Sequence, residues 1–158
     1  KKIKIFNNET GFELHKRVMK ESLNFLIKNI KKIIANKYVL KKQRGSSSYF
    51  GKLDVSNRIN WKSKIIDIHN LIRIYSKPYL PCQSKLLNKI IFINKSVILA
   101  RTNNNNYYQP GQIIKITPKN ELIINCTDGI LKIIDYSIHP KISVKHKKII
   151  LKVGNKLE

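Results

Sequence analysis

Leu14, Val18, Leu23, Leu26, Ile30 and Ile33 recur at helical spacing and mark one apolar face of a long helix that ends near Asn36. Thr10 with Glu13 three residues on forms a capping box, in which side chains satisfy the N–H groups that a helix start leaves unpaired. A helix this one-sided is not stable alone, so its stripe predicts a partner. Ahead of it, "KKIKIF" alternates polar and apolar and predicts a short strand, the end of a sheet. Behind it, "KKQRGSSSYFGKLD" breaks the period with glycine and serine and reads as a linker. A second, shorter helix follows, with Ser63 as its cap and Ile65, Ile68, Leu71 or Ile72, and Tyr75 on one face. Pro78 and Pro81 end it, because proline lacks the N–H a helix needs.

The remainder reads as β. "KIIFIN", "SVILA", "GQIIKIT", "ELIINC" and "GILKII" are short β-branched runs separated by turn chemistry. "TDG" suits a tight hairpin, "TPKNE" supplies another turn, and "NNNN" before Tyr107 is a polar loop. The pattern predicts an α+β chain: an N-terminal strand and long helix, then a small closed or partly open barrel with one leading helix.

Length and charge refine this picture. A chain of 158 residues holds one ordinary domain, or a small domain with an appendage. Lys1 stands first rather than Met, which fits a piece of a longer protein. No apolar run is long enough to span a bilayer, and no signal-peptide pattern opens the chain. The net charge of +23 has two readings. It is a surface for a polyanion such as nucleic acid, or the Lys, Asn and Ile bias of an AT-rich genome. Cys82 and Cys126 have no metal or disulfide spacing and fit a reducing cytoplasm. His15, His69, His139 and His146 lie far apart, without metal-ligand spacing.

Catalytic patterns are scarce. Asp and Glu together number nine, with no paired acid/base arrangement, and GxSxG, Walker and GxGxxG motifs are absent. The candidate substrate or phosphate contacts are Arg58, Trp61 and Arg73. Trp61 is either a core anchor where linker meets barrel or a stacking platform. Arg73 either faces the carbonyls at its helix end or binds phosphate. Asp128 and Gly129 read as turn residues.

The order of "ETGFELHKRV", "RINW", "IHNLIR", "KPYLP", "QPGQII" and "TDGILKII" resembles the C-terminal portion of the 10-formyltetrahydrofolate-dependent formyltransferases. That family includes methionyl-tRNA formyltransferase and enzymes that N-formylate amino sugars on nucleotide carriers. The matching stretches are Thr10 to Arg17, Ile59 to Trp61, Ile68 to Arg73, Pro78 to Pro81, Pro110 to Ile113 and Asp128 to Leu131. Asn60, Ile74, Leu80 and Cys82 depart from the family pattern. The resemblance implies residues 1–45 as the close of a Rossmann-like catalytic domain with its linker, and 46–158 as an OB-like domain. It implies 10-formyltetrahydrofolate as cofactor, held by an upstream catalytic domain that carries the family's Asn, His and Asp, and no metal. None of those catalytic residues is in this chain, so His15 and His69 are not the catalytic histidine.

Two details imply a nucleotide-linked amino sugar as formyl acceptor: "YFGKL", and a proline five residues after Arg73. The basic charge favours initiator tRNA instead, whose binding is salt-dependent through counterion release. Two other expectations stand beside these: a stand-alone barrel that binds RNA or another polyanion, and a structural remnant or dimerisation element without activity. A cytoplasmic location and no membrane insertion complete the expectation.

Overall fold

The computed structural model describes residues 2–42, 44–47, 49, 56–76, 78, 80–101, 107–141, 143 and 150–158. Much of "SYFGKL", all of "NNNN", Lys77 and Tyr79 of the proline-bounded turn and His146 therefore lie outside the described residues. The elements run α1 (Gly11–Ile34), α2 (Ile65–Ile74), β1 (Cys82–Leu86), β2 (Lys89–Arg101), β3 (Ile113–Ile116), β4 (Leu122–Cys126) and β5 (Gly129–His139). The class is α+β.

α1 starts as its sequence dictates. The Thr10 hydroxyl accepts from the Glu13 amide at 3.2 Å, and the Glu13 carboxylate accepts from the Thr10 amide at 2.8 Å. The strand expected over "KKIKIF" is not formed: residues 2–6 pair with no strand among the described residues. Alternation alone cannot make a strand, because a strand's N–H and C=O groups need a neighbouring ladder.

The five strands form one antiparallel sheet in the order β1-β2-β5-β4-β3. "KIIFIN" and "SVILA", expected as two strands, are one continuous β2. The polar Asn94–Lys95 step between them is taken up by shifts of register against β5 rather than by a turn. β1 was not foreseen, because "CQSKL" carries few β-formers; it is recruited by pairing with the first half of β2, Lys89 to Ile93.

Both edges of the sheet are met by the last residues. Ile113 donates to the Asn155 carbonyl and Leu157 donates to that of Gly111, which joins the tail to the β3 side. One residue on, the Glu158 amide donates to the Lys85 carbonyl of β1 at 2.8 Å. The tail thus supplies partners to two edges that would otherwise expose unpaired backbone groups.

The core lies between α2 and one face of the sheet. Ile65, Ile68 and Ile72 of α2 are buried with Leu86, Ile91, Ile93, Ile113, Leu122, Ile124, Leu131, Ile133 and Leu157. Burying each such side chain stabilises the fold by about 1.5–3 kcal/mol. All five residues of β4 are buried. α1 is the opposite case: it buries none of its residues, and Leu23, Leu26, Ile27, Ile33 and Ile34 are all exposed.

Gly111 has φ +86°, and a Cβ there would stand 2.4 Å from the Leu157 carbonyl oxygen. Gly111→Ala should cost about 2–4 kcal/mol through the combined clash and left-handed strain. Gly154 has φ +96° with open space around it, so Gly154→Ala should cost about 1 kcal/mol. Urea denaturation midpoints of the two variants check the difference.

Candidate functional site

α2 is the element around which polar side chains gather. Its first amide was expected to be capped by Ser63, but Lys64 occupies the cap position and provides no side-chain bond. The Ile65 amide donates instead to Asp128 Oδ1 at 2.6 Å. Thr127, beside it in the β4–β5 turn, donates from its hydroxyl to the Lys62 carbonyl at 3.2 Å. The "TDG" turn is therefore also a docking point for α2. Glycine follows because a Cβ at Gly129 would lie 2.3 Å from the Ala100 carbonyl oxygen.

At mid-helix, His69 is buried and its Nδ1 lies 3.0 Å from Ser96 Oγ on β2. Its Nε2 lies 3.3 Å from the Asn7 carbonyl. A carbonyl only accepts, so these partners assign the proton to Nε2 and leave Nδ1 to accept from the Ser96 hydroxyl. Burial, and secondarily the Arg73 charge, hold its pKa below the ordinary 6.5. At the helix end, Arg73 Nη1 donates to the carbonyls of Phe6 (3.0 Å) and Asn7 (3.3 Å), and Nε donates to Asn70 Oδ1 (2.8 Å). Arg73 thus grips main chain ahead of α1.

Arg58 and Trp61 lie beside β1. The Trp61 ring is buried at 4% exposure against Gly111, and its indole N–H donates to Ser84 Oγ at 2.9 Å. Ser84 passes the bond on to the Glu158 carbonyl at 2.8 Å. Arg58 pairs with Gln83 through the backbone and borders a groove of about 240 Å³ with Gln83, Lys85 and Glu158. Trp61 borders an adjoining groove of about 200 Å³ with Asn60, Lys62, Pro110 and Lys156. The structure brings Arg58 and Trp61 to neighbouring grooves and leaves Arg73 apart from both.

Cys82 and Cys126 are buried, and burial pushes both thiols up to about 12, so neither is a ready nucleophile. Among the described residues, no three His, Cys, Asp or Glu side chains group to hold a metal ion. No helix among them is long and apolar enough to cross a membrane. Sequence reasoning missed Ser84, Ser96 and the Glu9–Arg17 pair, whose Arg17 Nη2 donates to Glu9 Oε2 at 2.8 Å. Serines in strands and an i, i+8 pair carry no periodic signal that would single them out.

A family model described as "Formyl transferase, C-terminal domain" matches residues 54–152. A methionyl-tRNA formyltransferase of Clostridium beijerinckii is 29% identical over 133 residues, 83% of this chain and 41% of that protein. The bifunctional polymyxin resistance protein ArnA of Wigglesworthia glossinidia brevipalpis is 34% identical over 134 residues, 84% of this chain and 19% of that protein. Among solved structures, the sugar 3N-formyl transferase WlaRD, in the presence of dTDP and 5-N-formyl-THF, matches with TM-score 0.56 and 29% identity. The match covers 87% of this chain and 47% of that one. The N-formyltransferase from Helicobacter canadensis, in complex with folinic acid and dTDP-3-aminofucose, matches with TM-score 0.55 and 29% identity, over 84% and 47% of the two chains. The chain thus spans less than half the length of each of these proteins.

Removing the remote cap with Asp128→Ala should cost about 1 kcal/mol in urea denaturation. Asp128→Asn keeps the acceptor oxygen and should cost much less. The His69 shift sets a pH dependence. The unfolded chain takes up this proton near 6.5 and the folded chain only at lower pH, so stability falls as pH drops from about 6.5 toward the depressed value. His69→Gln should flatten that slope. Glu9 and Glu13, whose pKa values lie below 4.5, add their own loss only in more acid solution.

Proposed function

Because the chain belongs to the formyl transferase family through its C-terminal domain, we propose that it is the C-terminal part of an enzyme that transfers a formyl group from 10-formyltetrahydrofolate to the amino group of a nucleotide-linked amino sugar. The observation that carries this reading is the family match over residues 54–152, which begins after α1. What precedes the match fits the close of another domain: an unpaired extended segment and a helix with no buried residue. Residues 1–45 are then the end of the catalytic domain with its linker, and 46–158 an OB-like domain, an assignment favoured by a tail that bonds both edge strands.

The residues present do not fit the folate. The two barrel grooves, about 240 and 200 Å³, fall short of the roughly 300–1,000 Å³ that small-molecule sites occupy. A larger hollow of about 850 Å³ is lined, among the described residues, by α1 alone. No step of formyl transfer is therefore derived from these side chains. The Asn, His and Asp that the family resemblance implies for oxyanion stabilisation and proton transfer belong upstream. This chain's contribution is to position.

The amino sugar is favoured by the two sugar N-formyltransferases that align with at least 84% of the chain, whose names include dTDP and a dTDP-linked amino sugar. One observation favours methionyl-tRNA instead: 32 Lys and Arg against nine Asp and Glu make a chain suited to a polyanion.

The chain alone, given 10-formyltetrahydrofolate and a dTDP-linked amino sugar, should show no formylation. The chain joined to the coding sequence that precedes it should formylate the sugar and leave methionyl-tRNA unmodified, measured by mass of the products. Turnover by the chain alone would overturn the placement of the catalytic residues. Formylation of the tRNA alone would replace the sugar by the second reading.

A further inference from the structure

The turn ahead of α1 is held from both sides. From the α1 side, Arg17 pairs with Glu9, donates to the Lys4 carbonyl and lies over the Phe6 ring at 4.6 Å. The Glu9 side chain is only 7% exposed, and its carboxylate also accepts from the Phe6 amide. From the α2 side, Arg73 takes the carbonyls of Phe6 and Asn7, and His69 takes that of Asn7. His69 is itself fixed from behind by Ser96 of β2. Lys95 of β2 and Glu13 of α1 add an exposed pair at 3.7 Å. The first residue of α1 is Gly11, where an added Cβ would meet the Ile74 carbonyl oxygen at the end of α2 at 3.4 Å. Beyond this junction α1 buries nothing.

These contacts concentrate the connection between α1 and the barrel at one turn. Hydrogen bonds from two side chains one helical turn apart, His69 and Arg73, meet two successive carbonyls, which fixes the direction of the turn as well as its position. We propose that His69 and Arg73 are positioning residues: together they lock the Phe6–Asn7 turn onto α2 and so set the angle at which α1 leaves the barrel. On the reading that α1 closes the catalytic part of a formyltransferase, this lock sets how that part and the barrel face each other.

Spin labels at Lys28→Cys on α1 and Lys119→Cys in the β3–β4 turn report that angle in the intact 158-residue chain. Both sites are exposed, while the native Cys82 and Cys126 are buried and poorly reactive. Pulsed electron resonance should give one narrow distance distribution for the doubly labelled parent. His69→Leu with Arg73→Met should widen it at least about twofold, as expected when a turn loses its hydrogen bonds. His69→Gln, which keeps a donor for the Asn7 carbonyl, should restore the narrow form in an otherwise parental chain. Trp61 fluorescence shows whether the barrel stays folded; should the double variant unfold, Arg73→Met alone is read in the same way. An unchanged distribution in a folded variant, or a parental distribution already as broad, overturns the proposal. The measurement reads geometry only, so it fails or succeeds independently of the formylation assay.

Discussion

The hydrogen bond from the Ile65 amide to the Asp128 carboxylate fixes the start of α2, and the rest of the arrangement depends on where α2 lies. A ten-residue helix is marginal in isolation. Here Asp128 anchors its first turn to the β4–β5 hairpin, Ile65, Ile68 and Ile72 bury against the sheet, and Arg73 binds the segment ahead of α1. α2 is thereby the element that touches sheet and N-terminal segment at once. Without its seat on the hairpin, the buried face of the sheet would lose its cover and the turn at Asn7 its partner.

The β1 edge of the sheet rests on a chain of buried donors. Trp61 gives its indole proton to Ser84, and Ser84 gives its own to the Glu158 carbonyl. A tryptophan ring in the core needs such a partner, since an unpaired buried N–H costs about 1–3 kcal/mol. The partner's hydroxyl also ties β1 to the C-terminal tail, so one side chain serves core packing and edge protection together. This is the physical content of the "RINW" stretch: it pairs with β1 and ties it to the C-terminal tail.

Much of the frame was legible because it is periodic or capped. The Thr10–Glu13 box gives the start of α1, the isoleucine spacing gives α2, and β-branched runs give β3, β4 and β5. What was not legible depended on partners distant in sequence. β2 continues through Asn94 because β5 absorbs the irregularity, and "KKIKIF" stays unpaired because no described strand lies beside it. The cap of α2 comes from Asp128, 63 residues away, which no local cap rule finds. The same holds for the candidate sites: Arg73 stood out by its place at a helix end, but its ligands are two main-chain carbonyls that no side-chain motif encodes.

The sheet with α2 differs from α1 in one respect that bears on function: it buries an apolar core within this chain, and α1 buries none of its residues. A stripe of this kind marks a surface that another part of a protein covers. The family match covers residues 54–152, and the proposed reading of α1 as the close of a catalytic domain accounts for the uncovered stripe. Amide hydrogen exchange tests that account most directly, comparing this chain with the same residues inside the longer protein its gene would encode. The account predicts equal, slow exchange of the β4 and β5 amides in both, and fast exchange of α1 beyond Val18 that becomes slow only in the longer protein. Slow exchange throughout α1 in the isolated chain, or fast exchange there in both, would contradict it.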